Sequence, residues 1–341
     1  MKLLVVGANS EYAIERFYLK YWQEYRKDIT IDFFQAQNIF YNFYNQNFLN
    51  KIVFKLGISS IYNQINKQLL EKIKKFKPDV IFVFKGMEIF PQTLQFAKEQ
   101  NIKLLNYNPD NPFIFSGSGS GNKNITESIG IYDVHFTYNM EIKYQIESQY
   151  SIPTYILPFG FDVSEELFAK CTETLEINKV CFIGNPDKVR ALLITKLAKA
   201  GVLIDVYGYN WEKFINHKNI SYYKTIYGVE FWQNIRRYRV QLNIMRPHNL
   251  NSHNMRSFEI PGIGGIQLAP HTSEHELFFE PNKEIFLYQS VEDCVKKINH
   301  LIQLSVQEAN ELRLAARLAC IEKKYSYAER AKQVLEVLED M

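Results

Sequence analysis

From His253 to Gly265 the chain reads H-N-M-R-S-F-E-I-P-G-I-G-G, and residues 266–268 continue it as a short apolar run with the look of a buried strand. Arg256 and Glu259 stand three apart, so on a helix they share one face. A helix that begins near Ser252 or Asn254 is capped by a short polar side chain, and its free N–H groups face outward. The pair Gly264-Gly265 suits close packing of that helix on the strand that follows. A cation, an acid and open N–H groups together suit a ligand with phosphate at one end and a diol at the other, the build of a sugar nucleotide.

Outward from this stretch, strand and helix patterns alternate. Residues 178–183 read as a strand ending in Gly184-Asn185-Pro186, with a helix over 188–200. Residues 203–207 form another, ending in Gly208-Tyr209-Asn210-Trp211, and 240–245 and 284–287 supply two more. The first half has the same rhythm: a strand at 2–6 running into Gly7, a helix to about residue 24, then strands at 29–34, 78–84, 103–106, 134–137 and 154–157. Residues 36–76, rich in Asn, Gln and aromatics, read as mostly helical. Such alternation implies an α/β fold of two Rossmann-like domains, each a parallel sheet covered on both faces. The expected division is 1–163, 164–325 and a C-terminal helix, 326–341, that packs back on the first domain.

A length of 341 residues accommodates two such domains, and 46% hydrophobic with 23% charged residues is ordinary for a soluble globular protein. The net charge of +3 gives no argument for nucleic acid. Aromatics at 15% point either to carbohydrate-facing surfaces or to an AT-rich coding sequence. The four cysteines are scattered with no C-x-x-C pair, so they read as reduced structural residues. The apolar N-terminus is too short for a signal peptide and no run is long enough to span a bilayer, so the expected setting is cytoplasmic. Residues 36–66 read first as an ordinary helical layer over the sheet, with shaping of the acceptor side or peripheral contact with the inner face of a membrane as the alternatives, and the oligomeric state stays open.

The second half carries a set of motifs in order: Phe182-Ile-Gly-Asn185, Arg190, Tyr207-Gly-Tyr-Asn-Trp211, Leu242-Asn-Ile-Met-Arg246, His253 through Pro261, Gly264-Gly265 and Lys283-Glu284. This order resembles the CgeB-like, spore-maturation-protein branch of the GT-B glycosyltransferases. The likeness runs from about residue 77 to 330 and is tightest at 182–190 and 254–265. It implies a GT-B fold, with two Rossmann-like domains whose parallel sheets face across a cleft. The second domain would hold a nucleoside diphosphate sugar, and the first a glycan, lipid-linked or protein acceptor. One departure stands out: in the E-x7-E pair of many retaining members the second Glu falls on Glu259 but the first on Asn251, which cannot carry the charge. Retention of configuration does not follow.

Each candidate residue has a functional and a bland reading. Glu259 is placed to accept hydrogen bonds from ribose hydroxyls, or is a surface carboxylate. Arg256 is placed to pair with the diphosphate, or with Glu259 one turn away. Arg190, near a helix start after Gly184-Asn185, is placed to reach the same phosphates. Gly184 and Gly208 allow tight turns or close approach of a ligand. Tyr209 and Trp211 flank the base or sit in the core. His253 and Asn254 are phosphate donors; His271 and His275 read as surface residues. Gly117-Ser-Gly-Ser-Gly-Asn122 misses the G-x-G-x-x-G spacing and reads as a loop lining the cleft. For an inverting reaction the base is expected in the first domain, with Asp110 first and Glu11 second. Lys85 and Glu88, at a strand's carboxyl end, are candidates for the acceptor. No D-x-D occurs, so no metal and no separate cofactor are expected, and cations with a helix N-terminus would stabilise the departing diphosphate. Two rival readings are a sugar-nucleotide epimerase and a non-catalytic, degenerate GT-B protein serving glycan binding or assembly.

Overall fold

The computed structural model describes residues 1–11, 13–115, 119–246 and 251–341, so the glycine-rich stretch 117–122 lies partly outside the described residues. The chain forms two compact units, Met1–Pro158 with Arg330–Met341, and Phe159–Glu329.

The first unit holds strands β1 (Lys2–Val6), β2 (Thr30–Phe34), β3 (Val80–Phe84), β4 (Lys103–Asn108), β5 (Val134–Thr137) and β6 (Thr154–Ile156). All pair in parallel, in the order β2-β1-β3-β4-β5-β6. Every residue of β3 is buried, as expected of a strand with helices on both faces. The helix Ile14–Tyr25 sets Trp22 against this layer, 5.3 Å from the Phe82 ring, and its indole N–H donates to the Ala331 carbonyl at 3.1 Å. The C-terminal residues 330–341 thus belong to the first unit's core.

The second unit holds β7 (Ile177–Ile183), β8 (Ile204–Tyr207), β9 (Ile220–Tyr223), β10 (Tyr238–Leu242), β11 (Gln267–Pro270) and β12 (Phe286–Tyr288). Again all pairs are parallel, in the order β12-β11-β10-β7-β8-β9. Both sheets are doubly wound: strand order reverses between β1 and β3 in one, and between β7 and β10 in the other. Two elements carry little local signal. β9 is a four-residue strand, and the helix Gly228–Arg237 opens on a glycine with φ of +55°. β10 begins at Tyr238 and ends at Leu242, earlier at both ends than the apolar run at 240–245 suggests. Gly265 does serve packing: a Cβ there would stand 2.9 Å from the Ile260 side chain and 3.0 Å from that of Ile235. No helix among the described residues is long and apolar enough to cross a membrane.

Candidate functional site

In the second unit, loops meet at the carboxyl ends of β7, β8 and β10, where strand order reverses and such sheets leave room for a ligand. The loop after β7 runs from Gly184 to Asp187, and Asp187 caps the helix Lys188–Lys199 by accepting the Arg190 N–H at 3.0 Å. The Arg190 guanidinium lies 5.4 Å from the Phe182 ring centroid. Its Nε and Nη2 donate to the Ile244 carbonyl at 3.2 and 3.0 Å, and its Nη1 to the Asn185 carbonyl at 3.1 Å. Arg190 thereby ties the loop after β7 to the chain leaving β10. Burial pushes its guanidinium down to about 10; the charges of Arg246 and Arg256 act the same way and Asp187 opposes them. It stays cationic at neutral pH, and three arginines share one field.

The loop after β8 touches the loop after β7. A Cβ on Gly208 would stand 2.3 Å from the Gly184 carbonyl oxygen, so only glycine permits the approach. Trp211 is wholly buried, with its Nε1–H donating to the Gly184 carbonyl at 2.8 Å. No face of the indole is open to a nucleobase, which corrects that expectation in favour of packing. Tyr209 is exposed beside it, its N–H donating to Asn185 Oδ1 at 3.2 Å.

Arg256 opens the short helix Arg256–Gly262. Its guanidinium lies 4.4 Å from the Phe231 ring centroid and pairs with the buried carboxylate of Glu259. The turn before this helix is fixed by a polar network. Asn254 Oδ1 accepts the Ser257 N–H at 3.2 Å, and its amide donates to Asn243 Oδ1 at 2.8 Å. Ser257 Oγ accepts from the Asn254 N–H at 3.1 Å and from Asn243 Nδ2 at 3.2 Å, and lies 2.8 Å from His275 Nε2. His275 is wholly buried, a correction to its reading as a surface residue, with Nδ1 3.0 Å from the Pro270 carbonyl. Burial lowers it to about 4, so the neutral ring donates to Pro270 and accepts from Ser257. His253 is buried too, 2.6 Å from Glu274 Oε2 and edge-on to Phe159, Phe258 and Phe278. Packing, rather than donation to phosphate, is the role these surroundings define for it.

The first unit has its own polar cluster at the carboxyl ends of β1, β3 and β4. Lys85 follows β3 with φ of +60°, and its Nζ donates to Asp110 Oδ2 and to the Gly119 carbonyl, both at 2.7 Å. Asp110 is therefore ion-paired, and its N–H donates to Asn108 Oδ1 at 3.0 Å. Glu11 lies exposed in the loop after β1. Sequence reading passed over Glu15, in the first turn of the helix Ile14–Tyr25, whose Oε1 accepts the Ala8 N–H at 2.8 Å. A Cβ on Gly7 would stand 2.7 Å from that oxygen, so glycine is needed there. Burial raises the Glu15 carboxyl to about 7, helped by Glu88 and opposed by its backbone hydrogen bonds and Lys85. Glu88 is itself raised by burial. The one available signal for Glu15, an acid in a helix's first turn, passes for ordinary dipole compensation.

A search of curated proteins finds no match to the chain. Solved structures are similar along its whole length. Anabaena HepE in complex with UDP and glucose is 12% identical with a TM-score of 0.66, each chain covered in full. Sucrose-phosphate synthase from Thermosynechococcus elongatus is 9% identical with a TM-score of 0.72, over all of this chain and 98% of that one. The UDP-GlcNAc 2-epimerase of Neisseria meningitidis bound to UDP-GlcNAc is 16% identical with a TM-score of 0.60, both chains covered in full. Such low identities speak to the fold alone, the two six-stranded parallel sheets of the GT-B kind. Residues 190–336, which include Arg190, Arg256 and Glu259, match the family model described as glycosyl transferase-like. The chain thus has the GT-B glycosyltransferase fold and, over residues 190–336, the sequence pattern of a glycosyl transferase-like family.

Proposed function

We propose that this protein is a glycosyltransferase that moves a sugar from a uridine diphosphate sugar, bound by the second unit, to a glycan, lipid-linked or protein acceptor bound by the first. The observation that carries the reading is the shared field of Arg190, Arg246 and Arg256 beside the buried carboxylate of Glu259, at the edge where strand order reverses. Forked guanidinium donors suit diphosphate oxygens and the charge that builds on them as the sugar departs. The arginines take the part a bridging metal plays elsewhere, so transfer is metal-independent. Glu259 accepts the ribose hydroxyls, and Asn185 and exposed Tyr209 border the same loops. The UDP-bound relatives support the choice of uridine. The order of motifs from Phe182 to Gly265 supports a place in the CgeB-like branch.

In the first unit Asp110 is the base in this proposal, and Glu15, which feels the charge of Asp110's partner Lys85, is a second carboxyl whose pKa near neutrality suits proton removal from an acceptor hydroxyl. The test is a thermal-shift series with UDP, GDP, CDP and TDP, no metal added, on the wild type and Glu259→Ala. A ligand that binds only the folded state raises the melting temperature. UDP should stabilise the wild type and not the variant; equal shifts in both would remove Glu259 from the site. Acceptor-dependent release of UDP from a UDP-sugar separates transfer from the rival readings. An epimerase needs no acceptor, and a binding protein releases nothing.

A further inference from the structure

The helix Phe48–Lys55 in the first unit is apolar on two sides. Successive residues turn by about 100°, and Phe54 faces inward, its ring 4.8 Å from Phe40 and 5.6 Å from Tyr62. Asn50 lies on the same side, donating from Nδ2 to the Phe43 carbonyl at 2.8 Å. On the opposite side Phe48, Leu49, Ile52 and Leu56 fall within about 100° of arc. Phe48 is 74% and Leu49 69% exposed, and Leu56 and Ile58 extend the same surface. Large side chains gathered in water on one short element mark an interaction surface rather than scattered exposure.

Charge says what the surface meets. Residues 33–70 contain Lys51, Lys55 and Lys67 and neither Asp nor Glu, although the whole chain has 40 basic against 37 acidic residues. Lys55 is exposed at the end of the helix, and Lys51 sets its Nζ 5.5 Å from the Tyr44 ring centroid. An apolar face whose own segment carries only positive charge complements an anionic bilayer, acyl chains for the rings and phosphates for the ammonium groups. A second copy would complement it poorly, because a two-fold contact sets like-charged rims against each other. With eight residues the helix is about 12 Å long, so it lies on the bilayer instead of crossing it.

We propose that the face formed by Phe48, Leu49, Ile52 and Leu56, with Lys51 and Lys55 at its margin, seats the first unit on an anionic membrane surface. This rests on the first unit alone and not on the donor reading. The test is flotation of the full-length protein with vesicles of phosphatidylcholine, with and without phosphatidylglycerol. Wild type should float with the anionic vesicles, and less as salt rises. Replacing Phe48, Leu49 and Leu56 together by serine should lower the partition coefficient at least about tenfold. Lys51→Glu with Lys55→Glu, which leaves the apolar face whole, should lower it at least about five-fold per lysine. Both variants should keep the wild-type circular dichroism spectrum and cooperative melt, which certifies their fold, and the wild-type response to UDP. If UDP shifts neither wild type nor variants while flotation behaves as stated, the donor reading fails and the docking surface stands. No flotation of wild type, or flotation unchanged in both variants, overturns the proposal. So does a dimer in sedimentation that the serine variant dissolves while vesicles capture nothing.

Discussion

Arg256 makes two contacts that call for a guanidinium. Its plane lies 4.4 Å from the Phe231 ring centroid, and its N–H groups reach Glu259. A flat ion with forked donors can stack and still present two parallel hydrogen bonds to a diphosphate, whereas an ammonium does neither well. In the proposed function Arg256→Ala should weaken UDP binding at least tenfold by calorimetry, about 1.4 kcal/mol. Arg256→Lys should recover only part of that loss. Folding stability should fall as well, by about 1–3 kcal/mol, because the alanine leaves the buried Glu259 carboxylate without its partner, so binding is to be measured well below the melting temperature. UDP bound equally well by all three proteins would mean the diphosphate lies elsewhere. Arg190 is not a clean probe of the same point, because three of its hydrogen bonds hold backbone carbonyls and its removal would loosen the loop itself.

At the scale of elements, the helix Arg256–Gly262 has seven residues, too few to stand by helix propensity, so its neighbours hold its start in place. Ser257 is the knot, accepting from Asn254 and Asn243 and donating to His275. Ser257→Ala leaves buried polar groups without their partner and should cost about 1–3 kcal/mol in urea unfolding. Because Arg256 and Glu259 ride on this helix, UDP binding should weaken as well. A variant as stable as wild type would show that the helix start is held by packing alone. Part of this element was legible beforehand: spacing of three pairs Arg256 with Glu259, and Gly265 serves close packing, though against Ile260 of this helix and Ile235 of the helix Gly228–Arg237. The partner that arrives from eighteen residues away was not. His275 stands in Thr-Ser-Glu-His-Glu, a polar run that reads as surface, yet the chain returns it beneath the helix. Trp211 is a parallel case, its indole N–H satisfied by a carbonyl twenty-seven residues back. Periodicity reports which face of an element is dry; it carries no word of which distant group completes a hydrogen bond there.

Over the whole molecule, buried groups with displaced pKa values govern how stability follows pH. His135, with Nε2 2.9 Å from the Ile129 carbonyl, and His275 are each held at about 4 by burial, against an ordinary 6.5. Below 6.5 the unfolded chain takes protons that the folded one refuses, so both histidines cost stability as pH falls toward 4. Glu15 works in the other direction. Raised from 4.5 to about 7 by burial, with Glu88 and Lys85 facing it, it keeps its proton in the folded state where the unfolded chain has released it. Its contribution is fully present below 4.5 and is lost as pH rises through 7. The displacement, 7 minus 4.5, corresponds to about 3 kcal/mol at 1.36 kcal/mol per pKa unit. Glu15→Gln keeps an acceptor for the Ala8 N–H and never ionises. Relative to wild type it should therefore gain up to about 3 kcal/mol in unfolding free energy between pH 4.5 and pH 8, while the two curves run parallel at lower pH. Curves parallel throughout would mean that Glu15 titrates alike in both states. In the proposed function the removal of an acceptor's proton would then rest on Asp110 alone.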